Sequence, residues 1–140
     1  MTTRPHVFGP GLYYIGDPCY AVADKDWLEL CSNTGCFGFK TKDDNGNDVI
    51  NWDDGFFWYK GQQCFAHDTA FGDGYYESNQ GEGFGVDAGL IGILPMDVVD
   101  KENMDSAIRG GAFHSFQENF YVWEADGVFH FGKEIKIDTN

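Results

Sequence analysis

The feature that most limits what this chain can fold into is the regular interruption of short aromatic runs by glycine. Nineteen glycines punctuate 140 residues of which 17% are Phe, Trp or Tyr. Glycine supplies the positive φ that tight turns need and weakens helix interiors. Aromatic side chains suit a pleated, half-buried surface. Together they predict many short strands joined by tight turns rather than long helices.

Residues 12–15 read as a strand held between Gly11 and Gly16, after which Gly16-Asp17-Pro18-Cys19-Tyr20 turns the chain. Asp24 is expected to cap a short helix over 25–31, where Trp27, Leu30 and Cys31 share a face and Gly35 ends it. Strands over 36–42 and 48–52 flank Asp44-Asn45-Gly46-Asn47, whose Asn-Gly favours a type I′ hairpin. Strands over 56–60, 64–70 and 75–77 follow, and 84–94 reads as one long or bent strand with bulges at Gly85, Gly89 and Gly92. Pro95 opens a second, irregular helix with Asp97 and Asp100 near its positive end and Gly110-Gly111 as its stop. Strands over 112–116, 120–125, 128–131 and 134–138 complete the pattern, with Asp126-Gly127 as a hairpin turn. The expected fold is mostly β: a single all-β domain over 1–140, a β-sandwich or partly open barrel of about ten short strands with one or two short helices.

Against 23 Asp and Glu stand 9 Lys and Arg, a formal charge of −14 with no basic run. That balance argues against direct nucleic-acid binding and against an anionic membrane surface, both of which need a positive patch. It suits a cation, a basic protein surface, or solubility alone. The N-terminus, Met-Thr-Thr-Arg-Pro-His, has no apolar signal segment, and the apolar stretch around Leu90 is too short to span a bilayer. The expected location is the cytoplasm, that of the host if the chain is phage-encoded. Four cysteines are too sparse for a disulfide scaffold in a chain of this length, so reduced thiols are expected.

Two stretches carry a resemblance. Gly-Leu-Tyr-Tyr-Ile-Gly-Asp-Pro-Cys-Tyr at 11–20, and Thr69-Ala-Phe-Gly-Asp-Gly-Tyr75 leading into Gly85-Val-Asp-Ala-Gly-Leu-Ile-Gly-Ile-Leu-Pro95, resemble small bacteriophage and bacterial proteins and, more loosely, domains of the DUF4241 type. The similarity covers about residues 11–95. It implies a shared fold and a phage-like origin, and it transfers no catalytic residue.

Several constellations bear on chemistry. Cys31, Cys36, Cys64 and His67 have the ligand count of a tetrahedral zinc site, although in a strand Cys64 and His67, three apart, face opposite sides; the alternative is buried thiols and a hydrogen-bonded histidine. His67-Asp68-Thr69 is half of a two-histidine phosphoesterase device, and the second half is missing. Asp17, Asp68, Asp73 and Asp87 would form a calcium or magnesium site if the glycine-rich turns met at one end of the sheet, though Asp17 and Asp73 equally suit side-chain-closed turns. Adding Tyr20, His67, Thr69 and Tyr75 to those acids outlines a small-molecule pocket, for a signalling nucleotide that is sequestered or hydrolysed there. Asp43 to Asp48 mimics a calcium loop, but its Gly46 comes too early and its twelfth position lacks Glu, so a hairpin turn explains it better. No phosphate-binding or dinucleotide glycine motif is present.

Trp52, Phe56, Phe57, Trp58 and Tyr59 place too many large rings beside Asp53 and Asp54 for one sheet face to bury. Trp52, Asp53, Asp54, Phe57 and Trp58 therefore form the expected partner-binding surface, unless the sheet is covered on both sides. The expected function is an acidic, phage-type, non-catalytic binding protein that needs no cofactor and engages, and inhibits, a host protein by presenting acids where that partner meets nucleic acid. The small-molecule pocket, and a structural particle protein or homodimer, are the alternatives.

Overall fold

A computed structural model describes residues 3–34, 41–42, 45–49, 52–53 and 55–140. The chain runs β1 (His6–Phe8), β2 (Gly11–Gly16), α1 (Asp24–Thr34), β3 (Thr41–Lys42), β4 (Asp48–Val49), β5 (Trp52–Asp53), β6 (Phe56–Tyr59) and β7 (Gln62–Asp68). It continues with β8 (Gly74–Glu77), β9 (Gly83–Val86), β10 (Leu90–Pro95), α2 (Met104–Gly110), β11 (Ala112–Phe116), β12 (Phe120–Ala125), β13 (Val128–Phe131) and β14 (Ile135–Asp138). One sheet has the order β1-β12-β13-β14, and a second has the order β11-β2-β10-β7-β6-β5. The described pairings are all antiparallel. The fold is mostly β, with two open sheets stacked as a sandwich and two short helices, and the described strands close no barrel.

Strand parity explains the layers. In the four-stranded sheet Phe8, Phe120, Val122, Phe129, Phe131, Ile135 and Ile137 point inward, and Val7, Tyr121, Lys136 and Asp138 alternate outward. The six-stranded sheet is buried on both faces. Its Tyr13, Ile15, Phe56, Phe65, Ile91 and Ile93 meet the other sheet. The alternate positions, Tyr14, Phe57, Tyr59, Cys64, Leu90 and Leu94, pack under Leu30 of α1 and Ala107 of α2. Each fully buried large side chain contributes roughly 1.5–3 kcal/mol over leaving it in water.

Three expectations are corrected. The stretch 84–94 is two strands, not one: Gly89 takes φ +77° and the chain turns between β9 and β10, which lie in different sheets. Asp24 lies in the first turn of α1 rather than capping before it, and α1 extends to Thr34. After Pro95 the chain makes tight helical turns at Met96–Val98 and Lys101–Asn103 before α2, so the second helix is short and begins late. Two-residue turns with positive φ at both positions, Lys60-Gly61 and Asp126-Gly127, close the β6–β7 and β12–β13 hairpins. Gly46, at φ +82°, lies in the five-residue connection that the Lys42–Asp48 register leaves between β3 and β4, longer than a two-residue hairpin turn; the calcium-loop residues Asp43 and Asp44 lie outside the described residues.

Candidate functional site

The Gly-Asp-Pro-Cys-Tyr segment is a staple. Asp17 is fully buried at the end of β2, where its Oδ1 accepts the Cys19 N–H at 3.0 Å and sets the helical turn Pro18–Tyr20. Its Oδ2 accepts the N–H groups of Asp87 at 3.0 Å and Ala88 at 2.7 Å, seventy residues away in the β9–β10 turn. Burial pushes the Asp17 carboxyl above its ordinary value, and the Cys19, Ala88 and Asp87 N–H donors pull it back without reversing the shift. The Tyr20 hydroxyl then donates to Asp87 Oδ2. Burial, followed by that carboxylate, pushes the Tyr20 hydroxyl well up, which keeps it protonated. The segments 11–20 and 85–95 are thus tied to each other by side chains within them.

Beside this staple lies a cleft of about 430 Å³ lined by Tyr20, Tyr75, Gly83, Gly85, Ser106 and Arg109. The Tyr20 ring rests on Gly110 of α2, where a Cβ would fall 2.3 Å from the ring. Tyr75 stands opposite Gly85 in the β8–β9 ribbon and its hydroxyl lies over Gly83. Tyr75 remains 68% exposed.

The remaining pocket residues go elsewhere. Thr69 is buried and closes its own turn, donating to the Gly72 carbonyl at 2.6 Å while its N–H reaches Gly89 O at 3.1 Å. Asp68 is exposed opposite Leu90, and Asp73 is exposed in the turn before β8. His67 shares the inter-sheet parity of Phe65: its Nδ1 donates to Asp68 O at 2.9 Å and its Nε2 lies 3.8 Å from Glu124 Oε1. His67, Asp68 and Asp73 therefore do not line the cleft that Tyr20 and Tyr75 share, which corrects the single pocket expected from the sequence. Turns at one end of the sheet do meet, but Asp17 spends both its oxygens on backbone N–H groups.

The zinc set is likewise divided. Cys64 is buried on the helical side, where its thiol contacts Gln62 O at 3.6 Å and burial pushes it far up, while His67 turns to the opposite face. Cys31 is buried and Cys36 lies outside the described residues. Among the described residues, no three His, Cys, Asp or Glu side chains are grouped to hold a metal ion.

No protein family, curated protein or solved structure matches the chain.

Of the expected partner surface, Phe57 is 1% exposed and belongs to the helix-side core, which removes it from that surface. Trp58, on the opposite parity, is 61% exposed. Trp52 and Asp53 pair with Phe57 and Phe56 in β5, and Asp54 lies outside the described residues. Phe56, Phe57 and Tyr59 are accommodated because both faces of the sheet are covered there, Phe56 toward the other sheet and Phe57 and Tyr59 toward the helices.

A surface that sequence reasoning missed lies on the outer face of the four-stranded sheet. Val7 and Tyr121 are cross-strand neighbours, 50% and 58% exposed. Next to them Trp123 stacks on His130 with centroids 4.3 Å apart. Burial, and then Lys136, holds His130 below the ordinary imidazole range, so this stack is neutral at pH 7. The opposite parity of the same strand buries Glu124 with Phe120 and Val122, and its Oε2 accepts the Gly127 N–H at 2.8 Å. Alternation within 120–125 was the available signal for both.

Proposed function

We propose that this chain is a non-catalytic binding protein that docks a protein partner on the outer face of β1, β12 and β13. The observation that carries this reading is the exposed Val7–Tyr121 pair beside the Trp123–His130 stack, on a sheet face that neither described helix, α1 or α2, packs against. Tyrosine and tryptophan anchors of this kind supply most of the binding energy at protein interfaces. On the six-stranded sheet, by contrast, much of the outer side is roofed by α1 and α2 among the described residues.

The acidic charge of −14 fits a basic partner and would speed encounter at low salt. Mimicry of nucleic-acid phosphates, inhibition of a host protein and a phage-type origin extend this proposal and rest on the charge and on the motif resemblance. Recovery of a partner on immobilised protein tests it. The wild type and Trp58→Ser should retain the partner, and Tyr121→Ser/Trp123→Ser should lose it. Equal recovery by all three would overturn the assignment of the face. Loss of retention at moderate salt is expected for the charge-mimic extension, and salt-independent retention would remove that extension alone.

A further inference from the structure

We propose that the cleft between Tyr20, Tyr75 and α2 is a binding site for a small aromatic monocarboxylate. This site is separate from the docking face and does not depend on it.

One wall is already rigid. The Tyr20 ring is held at its hydroxyl by Asp87 and along its edge by Gly110, so a ligand packing on it does not have to order it. The floor is backbone partly covered by the two tyrosines. Phe84 and Val86 of β9 turn into the core, and the alternate positions Gly83 and Gly85 line the cleft, with the Tyr75 ring edge and hydroxyl over Gly83 and the Tyr20 hydroxyl beside Gly85. A ligand ring would therefore stack on Tyr75, which stands across from Gly85 and is largely exposed, rather than on the strand itself.

The polar group of the ligand follows from α2. Ser106 and Arg109 are three residues apart and line the same cleft. Among the described residues Lys25 and Lys60 are ion-paired, His67 and His114 lie beside Glu124 and Glu82, and Arg109 takes part in none of these contacts. In a chain with 23 acids and 9 Lys and Arg, a guanidinium outside those pairs at an aromatic cleft matches a carboxylate with two parallel N–H donors, and Ser106 can add a third. Asp87 sets the upper limit on charge: its carboxylate sits at the Tyr20 end of the cleft and opposes a di- or triphosphate there. The volume of about 430 Å³ is within the range of small-molecule sites and accommodates one ring and a short acidic arm.

The test uses 4-hydroxyphenylacetate as the probe, titrated into the full chain and followed by backbone amide resonances. Saturable shifts at Gly83, Gly85 and Ser106 are expected. Arg109→Gln should weaken the probe about tenfold, as should replacing the probe by its uncharged amide, since each removes one charge-assisted contact. Arg109 is exposed, so the variant should keep the wild-type spectrum elsewhere. Absence of saturable shifts, equal affinity for the acid and its amide, or unchanged binding by Arg109→Gln would each overturn the proposal. Tighter binding of uridine monophosphate than of the probe would overturn the monocarboxylate assignment in favour of a nucleotide.

Discussion

Replacing Asp17 by Ala should unlock the fold at the junction of β2 with the β9–β10 turn. The substitution strips the acceptor from the N–H groups of Cys19, Asp87 and Ala88 at one stroke. A hydrogen bond to a charged group contributes roughly 1.5–3 kcal/mol, so three of them sum to about 4.5–9 kcal/mol. The cost of holding a fully buried carboxylate, visible in the upward push on its titration, offsets part of that sum. The net expectation is about 3–5 kcal/mol for Asp17→Ala, a large part of the roughly 5–15 kcal/mol that stabilises a domain. Asp17→Asn keeps one oxygen acceptor and escapes the buried charge, so it should lose only about 1–2 kcal/mol. Urea unfolding gives both numbers, and amide exchange should show Asp87 and Ala88 opening first in the Ala variant. A loss below about 1 kcal/mol for Asp17→Ala, or unchanged protection of Ala88, would refute the staple.

Gly110→Ala should cost about 1–3 kcal/mol, because its new Cβ would fall on the Tyr20 ring; a thermal melt matching wild type would show that ring free to move. Phe65→Ala, in the centre of the inter-sheet core, should cost about 3–5 kcal/mol by urea unfolding. Asp100 is also costly to bury, but the Ala23 N–H and Lys60 outweigh that cost and hold its carboxyl below the ordinary range. Its folded value is therefore lower than its unfolded one, and its contribution is present above about pH 4 and disappears as pH falls through the folded value. The stability gap between wild type and Asp100→Asn should narrow below about pH 4, and a gap constant with pH would contradict this. Tyr121→Ser should change stability by less than about 0.5 kcal/mol, since its ring is largely outside the core.

The strands were legible in the sequence because parity and glycine turns are local signals: β2, β6, β7, β11, β12 and β13 fall where alternation and turn residues put them. The break at Gly89 was not legible, since apolar residues run on through it and the turn is held by Asp17 from a distant segment. Phe57 was misplaced for a related reason. A sheet buried on both faces reads as a run of rings whether or not one side is open, and only the position of α1 and α2 decides. Asp17, Tyr20, Tyr75 and Asp87 were recognisable from their turn-rich motifs, but Ser106 and Arg109 carried no motif and entered the cleft through the path of α2. His67 shares the parity of Phe65 and faces Phe129 and Glu124 of the other sheet, which sets it apart from the cleft of Tyr20 and Tyr75.

The most direct measurement for the docking face is a calorimetric titration of the recovered partner against wild type, Val7→Ser/Tyr121→Ser and Trp58→Ser. Loss of about 3 kcal/mol, more than a hundredfold in affinity, is expected for the Val7/Tyr121 variant, with Trp58→Ser binding as wild type. Undiminished affinity in the Val7/Tyr121 variant, or a loss confined to Trp58→Ser, would contradict the account and return the partner to the edge of the six-stranded sheet.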